Sequence, residues 1–205
     1  MRSRAAATVL ATAGFKNVAS MAGGMKAWQG RTAAGPPEAG MSFFNMAADA
    51  GELIALAWLL EEGSRKFYSA AAQMQTAPEA TELFSSLVTA EEHHKGTLQA
   101  LYREITGRET GPDFPRGLPI AQAAEDRMEG NLNVSEALAW AKGKETREVL
   151  ELSMALETDS YDLYIKMGRA VSGENAQRVF ARLVAEEKEH LARMAVLLDR
   201  IVTEG

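Results

Sequence analysis

Cysteine is absent from the 205 residues. That one absence excludes disulfides, thiolate metal sites, iron–sulfur clusters and cysteine nucleophiles together. It also fits a reducing compartment, and a cytoplasmic location is expected. Apolar runs long enough to span a bilayer are missing too, so no membrane partner is expected. Basic residues are in the minority: 22 Lys and Arg stand against 28 Asp and Glu, for a formal net charge of −6. An acidic chain of this kind does not attract nucleic acid or an anionic membrane surface. Strand-like alternation is lacking beyond about residue 46, where the apolar pattern becomes long and helical.

The first forty residues differ in composition. They are rich in glycine and poor in charge, and Gly35-Pro36-Pro37 interrupts the chain, which places a boundary between about Gly35 and Ser42. Arg2 and Arg4 before Ala5 to Leu10, with Ala11-Thr12-Ala13 following, have the form of a secretory signal. Against that reading, the apolar stretch is short and mostly alanine.

Beyond the boundary, four long helical segments are expected: Met46 to Gln75, Thr76 to Ile105, Lys144 to Val171, and Glu174 to Val202. Thr76-Ala77-Pro78-Glu79 has the pattern of a capping box. Gly107 to Leu118 must be a loop, and residues 119 to 143 read as one or two short helices. Short links within each pair make two antiparallel hairpins, and the long connection between them recrosses the molecule. The expected fold is therefore all-α: a ferritin-like four-helix bundle with one long crossover.

The two hairpins repeat one another at an offset of 96 without a gap. Leu60-Glu61 matches Leu156-Glu157, Ser64 matches Ser160, and Tyr68 matches Tyr164. Phe84, Leu87-Val88, Glu91, His94 and Leu101 match Phe180, Leu183-Val184, Glu187, His190 and Leu197. Helical spacing puts Glu61, Glu91, Glu157 and Glu187 on the apolar stripes that a bundle turns inward. Burying an unpaired carboxylate costs several kcal/mol, and no lysine or arginine shares these stripes. Two divalent cations balance four glutamates when both histidines are neutral ligands. Glu-x-x-His sets a carboxylate and an imidazole one turn apart on one face. One such pair on each of two helices, with one glutamate from each of the others, is the ligand set of di-iron carboxylate bundles. The candidate metal ligands are thus Glu61, Glu91, His94, Glu157, Glu187 and His190. Tyr68 and Tyr164 follow Glu61 and Glu157 on the same faces and are expected to hydrogen-bond to ligands, as candidate catalytic positions. Glu62, Glu92 and Glu186 fall off the stripes and read as surface charge, as does His93, whose repeat position is Glu189. Without metal, all four glutamates are expected to have raised pKa values.

These residues resemble the rubrerythrin branch of the ferritin-like superfamily. Glu61-Glu62-Gly63 with Phe67-Tyr68, Glu91-Glu92-His93-His94, Glu157 with Tyr164, and Glu187-Lys188-Glu189-His190 carry the resemblance, which covers about residues 46 to 203. It implies two iron ions, with manganese or zinc as alternatives, bridged by Glu91 and Glu187. Glu61 and Glu157 would be terminal carboxylates, with one histidine on each metal. The implied activity is a di-iron oxidoreductase that reduces peroxide or dioxygen; the alternative is an iron-binding, ferroxidase-type protein or one that holds metal without turnover. Typical rubrerythrins append a four-cysteine rubredoxin domain. This chain has no cysteine, so electrons must come from an external donor such as a rubredoxin.

Residues 1–38 resemble the end of a rhodanese domain, through Arg2-Ser3, Gly14-Phe15-Lys16-Asn17-Val18 and Gly23-Gly24-Met25-Lys26-Ala27-Trp28. The catalytic cysteine of that family would precede Arg2, so no sulfurtransferase activity is expected, although a link of the bundle to sulfur metabolism stays open. The domains expected are thus this truncated segment and a bundle over 43–203. Phe15, Val18, Met21 and Trp28 need cover from the bundle or from a second subunit, and a homodimer or larger assembly is expected.

Overall fold

The computed structural model describes residues 49–204. The expected rhodanese-like segment lies outside them.

Four long helices form the two expected hairpins. Helix α1 (Ala50–Met74) starts where the Asp49 side chain accepts a hydrogen bond from the Glu52 N–H at 2.9 Å. Helix α2 (Pro78–Thr106) has proline in its first turn and ends on Gly107 in the left-handed region. The expected capping box at Thr76 does not form. The cap is Ala77, which has no side-chain acceptor, and the fixed φ of Pro78 starts the helix instead. Helix α5 (Thr146–Ala170) and helix α6 (Glu174–Glu204) make the second hairpin. The Glu148 carboxylate reaches back to the Glu145 N–H at 3.3 Å at the start of α5.

The crossover contains the short helices α3 (Pro119–Ala123) and α4 (Val134–Ala141). Between them lies a small antiparallel ladder that hydropathy did not reveal. Strand β1 (Arg127–Met128) pairs with β2 (Leu132–Asn133) around a 3-10 turn at Glu129–Asn131. Two-residue strands are too short to show alternation.

Packing is closest within each hairpin, α1 on α2 and α5 on α6, while the crossover lies against α1 and α5. The core forms two apolar clusters. One contains Leu60, Leu98, Leu163 and Leu183; the other contains Phe67, Leu87, Leu156 and Met194. On each long helix a stripe glutamate falls between a residue of one cluster and a residue of the other. The bundle therefore has a charged layer between two apolar ones. No helix among the described residues is long and apolar enough to cross a membrane.

Candidate metal centre

The charged layer contains all six candidate ligands. Glu61, Glu91, His94, Glu157, Glu187 and His190 are each at most 6% exposed. Oxygen and nitrogen atoms of Glu61, Glu91, His94 and Glu187 lie within 4.8 Å of one another, and so do those of Glu91, Glu157 and His190. Glu91 belongs to both groups. Glu187 also reaches both histidines, with Oε1 3.3 Å from His94 Nδ1 and Oε2 3.2 Å from His190 Nδ1. The imidazoles stack with centroids 5.5 Å apart.

Each histidine turns Nδ1 into the cluster. His94 Nδ1 is 3.4 Å from both Glu61 and Glu91, and His190 Nδ1 is 3.0 Å from Glu157. The outer nitrogen distinguishes the two. His94 Nε2 meets Glu186 Oε2 at 3.1 Å. The repeat position of Glu186 is Ala90, which has no acceptor to offer. Glu186 is therefore not simple surface charge: it is partly buried, held by Arg182 at 2.8 Å, and set to accept the outer proton of His94. Glu62 also departs from the surface reading. Burial pushes its carboxyl up, but hydrogen bonds from Arg65 and Lys95 outweigh that and hold it at about 2. Lys95 itself is buried, with its ammonium 4.8 Å from the centre of the Trp58 ring. Glu92 and His93 are exposed, and His93 lies 3.0 Å from an Arg182 nitrogen.

The two tyrosines also part company. Tyr68 donates its hydroxyl to Glu157 Oε1 at 2.5 Å, bridging the hairpins from α1 to α5. Tyr164 is buried with its ring against Phe180, while Glu61 Oε1 has no hydrogen-bond partner. Ser160 donates to Glu187 at 3.3 Å. Glu129, from the crossover turn, is a further buried carboxylate, and Ser64 donates its hydroxyl to it. Sequence spacing missed it, because Glu129 lies on no long helix and has no partner in the repeat.

Burial dominates the electrostatics. It raises Glu61 to about 7, against the charge of His94, and drives Glu91, Glu157 and Glu129 well above the carboxylate range. Glu187 does not follow the expectation for all four. Burial pushes it up too, but hydrogen bonds from Glu157, His190 and His94 prevail and hold it low. Desolvation lowers both histidines, yet bonds to Glu157 and Glu187 raise His190 to about 10, and the charge of Glu61, with bonds to Glu187, Glu61 and Glu91, raises His94. Without metal, burial thus favours the protonated form of the carboxyls around Glu187, the one held low, and both histidines are pushed toward the charged form.

A divalent ion fits this site. The donors are carboxylate oxygens and imidazole nitrogens, the set that suits iron, manganese or zinc. Buried Glu61 Oε1 has a lone pair with no proton donor aimed at it.

A helical bundle of two hairpins and one crossover, with buried carboxylates and histidines between apolar layers, defines a ferritin-like metal-binding protein. The rubrerythrin family model matches residues 30–102 and 52–198, and the chain belongs to the rubrerythrin family. No curated protein matches it. A solved structure of a hypothetical protein from Pyrococcus furiosus is similar, with 19% identity and a TM-score of 0.58 over 76% of this chain and 92% of that one. At that identity the likeness concerns the fold alone.

Proposed function

We propose that this chain is a two-iron oxidoreductase that reduces peroxide or dioxygen with electrons from an external donor protein such as a rubredoxin. Glu61, Glu91, His94, Glu157, Glu187 and His190 would hold the metals; Glu91 belongs to both donor groups and Glu187 reaches both histidines. The observation that carries the reading is the gathering of both Glu-x-x-His pairs and both single glutamates into one buried layer. Two bound iron ions supply two electrons at one place, the number needed to break an O–O bond.

The side chains have definite tasks in this scheme. Glu186 holds a proton on His94 Nε2, which leaves the Nδ1 lone pair turned inward. Tyr68 fixes the Glu157 carboxylate and keeps its own proton, since burial and Glu157 push its pKa well up. The apolar layers above and below exclude bulk water and strengthen every charge interaction between them. The proposal also includes the domain division at about residues 38 to 43, a cytoplasmic location and a homodimer or larger assembly.

Anaerobic protein loaded with two ferrous ions per chain, mixed with one equivalent of peroxide in a stopped-flow spectrometer, tests the activity. Oxidation of both ions within seconds, and re-reduction by reduced rubredoxin over repeated cycles, is expected. Uptake of many irons per chain with no catalytic cycle would favour the iron-sequestering alternative.

A further inference from the structure

The crossover is built to bring one residue into the charged layer. Gly63 on α1 faces the crossover backbone: a Cβ there would lie 2.1 Å from the Arg127 carbonyl oxygen and 2.9 Å from Met128 Cα. Only glycine allows that approach. Met128 is fully buried in an apolar cluster, and the ladder pairs Arg127 with Asn133 and Met128 with Leu132. Gly130 and Asn131, at φ 68° and 58°, then turn the chain back within the left-handed region. A Cβ on Gly130 would come within 2.5 Å of an Asp159 carboxylate oxygen, so the turn is pressed against α5 as well. Glu129 stands at the head of this turn, 3% exposed.

Besides its own backbone N–H, its surroundings offer it one hydroxyl. Ser64, on the helix that supplies Glu61, donates a hydroxyl to Glu129. The nearby cations are committed elsewhere: Arg127 donates to the Asn131 carbonyl at 3.1 Å, and Arg65 and Lys95 go to Glu62. Glu91, Glu157 and Glu187 are close enough for their charges to act on Glu129. A buried carboxylate without a cation is costly unless something else compensates. Beside a layer that contains Glu61 Oε1, itself buried and without a hydrogen-bond donor, a metal ion would give both carboxylates a cation in place of added protons.

We propose that Glu129 is a seventh ligand side chain of the two-metal centre, supplied by the crossover from the α1–α5 side, opposite the helices that bear the histidines. The inference rests on the two-metal reading above. It makes the two metal positions unlike, because the repeat contains a single crossover and hence a single residue of this kind. It also changes the charge balance. Four glutamates neutralise two divalent ions, whereas a fifth leaves one negative charge on the divalent pair and one positive charge on the trivalent pair. The fifth carboxylate thus stabilises the oxidised centre relative to the reduced one.

The test is titration of the metal-free full chain with Co(II), a redox-stable probe whose visible d–d bands strengthen as its coordination number falls. The wild-type chain is expected to take two ions. Glu129→Gln should still take two, one of them at least about tenfold more weakly, with stronger d–d absorption from the ion that has lost an oxygen ligand. Ser64→Ala, which removes the hydrogen-bond donor but keeps the carboxylate, should leave the bands as in wild type. E129Q with wild-type helix content, unchanged affinities and an unchanged spectrum would overturn the proposal and leave Glu129 a buried partner of Ser64. If E129Q does not fold, Glu129→Asp decides: drawing the carboxylate back by one methylene alters the bands of a ligand and leaves those of a non-ligand unchanged. A wild-type chain that does not bind two Co(II) ions would instead defeat the two-metal reading.

Discussion

Adjacent residues Glu186 and Glu187 show how far spacing reaches at the level of single side chains. Helical period puts Glu187 on the inner stripe and Glu186 to one side of it. That much was legible in the sequence. What spacing could not show is that this flank of α6 faces the outer nitrogen of His94, because the partner belongs to α2 and the contact depends on how the two helices pack. The same holds for Glu62, read as surface charge, which pairs with Lys95 across the first hairpin at 2.7 Å. Glu186→Ala should weaken metal binding about 10- to 100-fold at the position served by His94. Glu92→Ala, at an exposed carboxylate paired with Lys95, should leave affinity unchanged. Isothermal titration of both variants with Mn(II) is the measurement, and equal affinities would show that His94 is oriented without Glu186. Removing Glu91 and Glu187 together should abolish metal binding while circular dichroism still reports a helical protein. Full metal occupancy in that double variant would refute the ligand assignment.

Among the elements, the long helices were legible to within a few residues, since each has an apolar stripe sustained over many turns. The crossover was legible only in outline. One or two short helices were expected and two form, but the ladder and the turn at Glu129 were not expected, because they lie in close approach to Gly63 on α1, which no local pattern shows. A glycine in a helix interior ordinarily costs about 0.5–1 kcal/mol relative to alanine. Gly63 and Gly96 separate the two situations. Gly63→Ala puts a Cβ into the Arg127 backbone, so the crossover must shift; a loss of about 1–3 kcal/mol is expected, with displacement of Glu129 from Ser64. Gly96→Ala meets nothing within 4 Å on α2 and should stabilise the fold by roughly the propensity difference. Denaturant unfolding of the two variants should give opposite signs. A neutral or stabilising Gly63→Ala would mean that the crossover does not need this close approach.

Across the whole molecule, the internal repeat gives the bundle a near-symmetric charged layer whose stability must depend on pH and on metal together. In the metal-free protein Glu61 is raised to about 7, and Glu91, Glu129 and Glu157 stand well above the carboxylate range. Groups with raised values contribute stability that is complete below their unfolded pKa, about 4.3, and is lost as pH rises through the folded value. His190 has the same sign: its contribution is complete below about 6.5 and disappears as pH climbs through about 10. Glu187 is held low and acts in reverse, stabilising above the usual carboxylate range and losing that contribution as pH falls below it. The metal-free protein should therefore be less stable at pH 8 than at pH 5. Metal binding needs ionised carboxylates and neutral imidazoles, so affinity rises over the same interval, and with it the stabilisation that a ligand of the folded state confers. Melting temperatures measured at pH 5, 6, 7 and 8, in chelator and in saturating Mn(II), should diverge steadily, with the metal-bound curve rising away from the metal-free one. A constant gap between the two curves would mean that these carboxylates remain hydrated and ionised in the folded chain, and that the layer between the apolar clusters is not the metal site.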